Sequence, residues 1–193
     1  MTVVKNNMIT QGLSGMIGDQ VVFRQRHGLT IVSKKPRRSA GFSPAQLAHQ
    51  HRFQAATEWA HYALANPGLR EMYGKAGGHG RTAYNMAISD ALNPPVVDNI
   101  DIQGYVSGTG SPLTVWVRNR FRTKSVTVRI TRPDGILVEE GEAMQEMPGP
   151  VWTYAVTVAN PSPAGCRIAA RAADFPGNTA ELTVTVEGSL PIL

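Results

Sequence analysis

Residues 12–46 read GLSGMIGDQVVFRQRHGLTIVSKKPRRSAGFSPAQ, and the order of signals in this stretch decides how the first half of the chain folds. Val21, Val22 and Phe23 run into Arg24, Gln25 and Arg26; after His27 and Gly28 the β-type pattern resumes with Leu29, Thr30, Ile31, Val32 and Ser33. Glycine takes the positive φ that a tight hairpin turn demands, and both flanks are β-branched or aromatic, so the pattern predicts a β-hairpin broken at Gly28. Alternation points Val21 and Phe23 one way and Val22 the other, and Leu29 and Ile31 oppose Val32 in the same manner. Both faces carry apolar groups, and a lone two-stranded hairpin of that kind needs cover on both. That cover comes either from the chain's own helices and sheet or from a neighbouring copy, since open strand edges invite strand addition.

Working outward from the hairpin, Gly12, Ser14, Gly15 and Gly18 precede it among Leu13, Met16 and Ile17. A phosphate-binding glycine loop follows a strand and opens a helix; these glycines precede a strand, so they read as a bend or a close backbone approach instead. On the other side, Lys34, Lys35, Pro36, Arg37 and Arg38 place four positive charges in a segment that its proline keeps out of helix. Ser43, Pro44 and Gln46 then spell a helix start, with serine at the N-cap, proline at the first helical position and glutamine closing a capping box. Phe42 and Leu47 flank it at the spacing of a hydrophobic staple.

The helix so begun carries Ala48, Phe53, Ala55, Ala56, Trp59, Ala60, Tyr62, Ala63 and Leu64 on a broad apolar arc, which predicts a packing helix. The glycine-spaced lead-in, the hairpin broken at Gly28, Lys35 and Pro36, and then Ser43, Gln46, Arg52, Phe53 and Ala56 together resemble a poorly characterised family of bacterial and phage-like proteins. That resemblance covers about the first half of the chain, implies a small structural or assembly protein, and brings no catalytic residue with it. Two further helices are expected, one from Asn66 and Pro67 to Gly77, the other from about Thr82 to Leu92 with Tyr84, Ala87, Ile88 and Ala91 inward. Pro94 and Pro95 end the last one and mark the expected domain boundary.

From Val96 the apolar period changes to two. Seven strands are predicted, at residues 99–105, 113–118, 126–131, 136–140, 152–158, 167–173 and 180–187. Trp116, Ile130, Trp152, Tyr154 and Ile168 are the core candidates. Seven short strands in this length argue for an immunoglobulin-like β-sandwich. Its ending, from Ala172 through Asp174, Pro176, Gly177 and Asn178 to Leu182, Val184 and Val186, resembles the last hairpin of bacterial immunoglobulin-like modules, which implies a spacer or adhesive role. With Cys166 as the only cysteine the antibody-type disulfide is absent. The expected fold class is therefore α+β: a basic hairpin-plus-helix module at 1–95 followed by an all-β immunoglobulin-like sandwich at 96–193.

Charge divides unevenly between these parts. Residues 1–95 hold 11 Lys and Arg against 4 Asp and Glu, and residues 96–193 hold 8 against 10. A basic module followed by a weakly acidic one suits head-to-tail contact between copies, or an acidic partner for the first half. No secretory signal is read in residues 1–11, and no apolar run is long enough to span a bilayer; synthesis in the cytosol is expected, with a virion or an extracellular assembly as the destinations considered.

Catalytic chemistry finds little purchase. Cys166 has no histidine in its half of the chain to activate it, and His49, His51 and His61 lack the i, i+4 spacing a metal favours. Asp98, Asp101, Glu139, Glu140 and Glu142 read as scattered, solvated carboxylates rather than an acid/base pair. The expectation is a non-enzymatic protein without cofactor, metal or small-molecule substrate. It self-associates through Val21, Val22, Phe23, Leu29, Ile31 and Val32 into a filament, shell or surface layer that displays the sandwich. The alternative is a nucleic-acid-associated protein holding phosphates through Arg24, Arg26, Lys34, Lys35, Arg37 and Arg38.

Overall fold

The computed structural model describes residues 2–4, 8–26, 28–36, 41–77, 80–145 and 147–187. Among them the fold is mixed α+β and largely β, with three helices and eleven strands arranged in three antiparallel sheets. The chain divides into two compact units, Met1–Leu47 and Ala48–Leu193. This division falls inside the first helix, whereas the proline pair predicts a boundary after residue 95. The three helices share an apolar cluster with Phe121 from the β-rich part, so no gap in packing opens at Pro94 and Pro95.

The first unit is a four-stranded sheet of β1 (Thr2–Val4), β2 (Gly15–Ile17), β3 (Val21–Arg26) and β4 (Leu29–Lys34), in the order β1-β4-β3-β2. The hairpin expected from the sequence is its centre: Arg26 pairs with Leu29 across a two-residue turn in which Gly28 has φ +76°. Beside it, β2 and β3 are joined through Gly18 and Asp19, both at positive φ. A Cβ on Gly18 would meet nothing within 4 Å, so this glycine serves the bend and not a close approach. The outer strands β1 and β2 have no counterpart in the sequence pattern, because three residues are too few to display a period.

In the second unit, α1 (Pro44–Ala65) starts with its first turn at the end of the first unit. The capping box is formed: the Ser43 amide donates to Gln46 Oε1 at 2.8 Å, and the Gln46 amide to Ser43 Oγ at 3.3 Å. Packing is confined to the later turns, where Ala56, Ala60 and Ala63 are buried; Ala48, Phe53, Ala55 and Tyr62 stay exposed. Phe42 and Leu47 are exposed as well. Next, α2 (Pro67–Ala76) is capped by Asn66, whose Oδ1 accepts from the Leu69 amide, and α3 (Ala83–Leu92) by Thr82. Of the four residues expected inward on α3, Ala87 is fully buried and Tyr84, Ile88 and Ala91 are partly so.

Two antiparallel sheets complete this unit. One has the order β11-β10-β7-β8, from β7 (Thr123–Thr131), β8 (Leu137–Glu142), β10 (Arg167–Asp174) and β11 (Thr179–Thr185). The other is β5-β6-β9, from β5 (Val96–Asp101), β6 (Pro112–Arg118) and β9 (Val151–Ala155). All seven expected strands occur, with shifted ends; β5 starts three residues earlier than expected, carries a bulge between Val97 and Asn99, and stops before a turn at Gln103 and Gly104. Alternate residues of both sheets enter one core that includes Leu113, Val115, Ile130, Trp152, Tyr154 and Ile168. Trp116 is a correction: the period of β6 turns Leu113, Val115 and Val117 inward and therefore turns Trp116 away.

Buried polar groups join helices to sheet within this unit. Trp59 Nε1 donates to Tyr73 Oη at 3.2 Å, and Tyr73 Oη donates to Asp90 Oδ2 at 2.7 Å. Asn178 Nδ2 donates both to Asp174 Oδ2 and to the Ala91 carbonyl oxygen, so the β10–β11 turn is tied to the end of α3. Asp90 and Asp174 are each 1% exposed. Burial, with Asp174 as a nearby like charge, outweighs the Tyr73 hydrogen bond and raises the Asp90 carboxyl to about 6. Burial also raises Asp174 and, together with Asp90, Tyr73.

Candidate assembly surface

The pairing register sorts the first sheet into two faces. Val21, Phe23 and Gln25 share one with Thr30, Val32 and Lys34 of β4, Ile17 of β2 and Val4 of β1. Val22, Arg24 and Arg26 share the other with Leu29, Ile31 and Ser33, Met16 and Val3. The six candidate docking residues therefore separate into Val21, Phe23 and Val32 on the first face and Val22, Leu29 and Ile31 on the second. None is buried: Leu29 is exposed and the other five are partly so.

Among the described residues of this sheet, Thr30 alone is buried. Its hydroxyl accepts from Gln25 Nε2, which also donates to the Leu13 carbonyl oxygen, both at 2.9 Å, so the Leu13 turn covers one patch of the first face with polar bonds. Around it, Val3, Met16, Ile17 and Leu29 are exposed, as are Met8 and Ile9 in the preceding turn. Two strand edges, β1 and β2, are unpaired among the described residues.

The basic candidates do not converge. Arg24 and Arg26 lie on the second face, Lys34 on the first, and Lys35 is ion-paired with Asp19. Arg37 and Arg38 lie outside the described residues. Phosphate binding along the hairpin would thus draw on both sides of one sheet, with one of its cations already partnered.

Elsewhere the candidate chemical groups have structural partners. Cys166 is buried, and Asn160 Nδ2 donates to its sulfur at 3.2 Å. Asp98 accepts from Arg118, whose guanidinium holds its carboxyl below the usual range. Glu140 pairs with Arg129 and Asp101 accepts from the Gln103 amide. Glu139, expected at a solvated edge, is instead buried: its Oε2 accepts from Tyr154 Oη and from the Thr157 amide and hydroxyl. Strand pairing explains it, because Glu139 lies opposite buried Ile130 on the core face whereas Glu140 lies opposite exposed Arg129. Among the described residues no three His, Cys, Asp or Glu side chains gather at one point, and no helix is long and apolar enough to cross a membrane.

No family model matches the chain, and no curated protein matches it. Among solved structures it is similar to the crystal structure of CopC from Methylosinus trichosporium OB3b, at 16% identity and a TM-score of 0.36, over 48% of this chain and 93% of that one. A likeness at that score carries no argument about fold or function.

Proposed function

We propose that this chain is a non-catalytic structural protein that self-associates through its N-terminal sheet into a filament, shell or surface layer. In this reading it belongs with the bacterial and phage-like assembly proteins its first half resembles, and its two-sheet part is an immunoglobulin-like sandwich carried on the polymer. The observation that supports it is the first sheet itself: four strands with apolar residues on both faces, among whose described residues only a threonine is buried. Apolar surface left in water is a standing free-energy cost of roughly 25 cal/mol per Å², and a second copy of the same sheet, stacked on a face or added at an edge, removes it. Seven antiparallel strands in two sheets around one core support the sandwich assignment.

Light scattering of nuclease-treated protein across concentration and salt, with negative-stain images, tests the reading. Regular particles or fibres are expected, and Met16→Glu with Leu29→Glu should reduce them to small soluble species, because both positions are exposed in the single chain and a charge there is buried only on association. A monomer at every concentration, or polymers indifferent to these substitutions, overturns it.

A further inference from the structure

The cations that the fold brings together are not those of the hairpin. A hollow of about 730 Å³ opens in the second unit between α2, the segment before α3 and the β6–β7 loop, and Lys75, Arg81, Arg120 and Arg122 line it together with Glu71. Lys75 is paired with Glu71 one helical turn away at 2.7 Å. Arg81, Arg120 and Arg122 have no carboxylate partner among the described residues, whereas Arg118 and Arg129 are each ion-paired. Three guanidinium groups from two distant segments thus face one space uncompensated.

The loop that supplies two of them is fixed from below. Phe121, between Arg120 and Arg122, stacks on the buried Tyr73 ring with centroids 4.7 Å apart. Asn119 ties the same loop by accepting from the Phe121 amide at 3.3 Å and donating to the Arg122 carbonyl oxygen at 3.0 Å. Met72, Met86 and Phe121 line the same hollow and supply apolar surface beside these cations. Guanidinium forks match phosphate oxygens in pairs, and a thioether and aromatic wall accepts the face of a planar group.

We propose that this hollow binds a phosphate-bearing ligand with a planar base, that is, a nucleotide unit, supplied either free or within a single strand. The site is independent of the proposed assembly surface and shares no residue with it. Fluorescence anisotropy of the full chain, with a labelled adenine mononucleotide in one arm and a short labelled oligothymidylate in the other, tests it and separates the two sources. Binding in either arm is expected to weaken about tenfold or more in the R81A/R120A/R122A variant, and the strand's salt slope to fall from roughly two per decade to below about one. Unchanged thermal unfolding of the variant, whose three substituted residues are all exposed, will show that the loss is local. Absence of binding in both arms overturns the proposal. So does binding that survives R81A/R120A/R122A but is lost in R24A/R26A, which would return the phosphate site to the hairpin.

Discussion

The two β-rich regions of this protein use the same backbone pattern to opposite ends. In the sheets of the second unit, alternate residues of facing strands meet and exclude water, so that Leu113, Val115, Ile130 and Ile168 are fully buried. In the N-terminal sheet the alternation is equally regular in hydrogen bonding, yet apolar side chains go to both faces and none among the described residues is buried. Strand pairing satisfies the backbone in both, but only the first arrangement supplies the hydrophobic stabilisation that ordinarily holds a sheet. Among its described residues the N-terminal sheet encloses no apolar core and leaves two strand edges unpaired, and the assembly proposal rests on that difference.

Core truncation gives the sharpest contrast. Ile168→Ala should cost the second unit about 2–5 kcal/mol in denaturant unfolding, since the side chain is completely enclosed. Val22→Ala in the first sheet, measured on dilute monomer by hydrogen exchange of the β3 and β4 amides, should cost under about 1 kcal/mol. Equal losses would break the comparison by showing a core that the first sheet is not seen to have.

A second difference is electrostatic, for the second unit buries carboxyl groups while the described part of the first buries none. The folded-state carboxyl of Asp90, raised from 3.8 to about 6, binds a proton more readily than the unfolded one. Its contribution therefore makes the protein more stable as pH falls from about 6 to about 4, the reverse of ordinary acid denaturation. Asp174, raised by burial, acts in the same direction, while Asp98, lowered by Arg118, opposes it by losing its contribution as pH falls through its folded value. Asp90→Asn should flatten this slope and raise stability at neutral pH by up to about 3 kcal/mol, read from melting curves at a series of pH values. A slope unchanged by the substitution would remove Asp90 as its source.

The smallest effect is expected at the start of α1. Ser43→Ala should lower the stability of its first turn by about 1 kcal/mol, seen as faster exchange of the Gln46 amide, with the melting of the second unit unaltered. A lowered melting temperature would instead make the cap part of the cooperative core.

Signals carried by neighbouring residues are legible in the sequence. Ser43 and Gln46 bond to each other across one helical turn, Gly28 supplies a turn conformation open to few other residues, and the seven later strands announce themselves by alternation. Trp116 departs from expectation because its size suggests burial while its position along β6 decides against it. Glu139 departs for the complementary reason: a carboxylate looks solvated until Tyr154 and Thr157, from a distant part of the chain, arrive to hydrogen-bond it.

Local chemistry, then, settles by itself where elements start, turn and stop, because caps, turns and side-chain periods act over a few residues. Only the tertiary structure decides which faces meet: that β1 and β2 flank the hairpin without covering it, that Trp59, Tyr73 and Asp90 form one buried chain of hydrogen bonds, and that Arg81 meets Arg120 and Arg122 around one hollow. Those outcomes depend on contacts between residues far apart in sequence, and the free energy of such contacts belongs to the pair and not to either segment read alone.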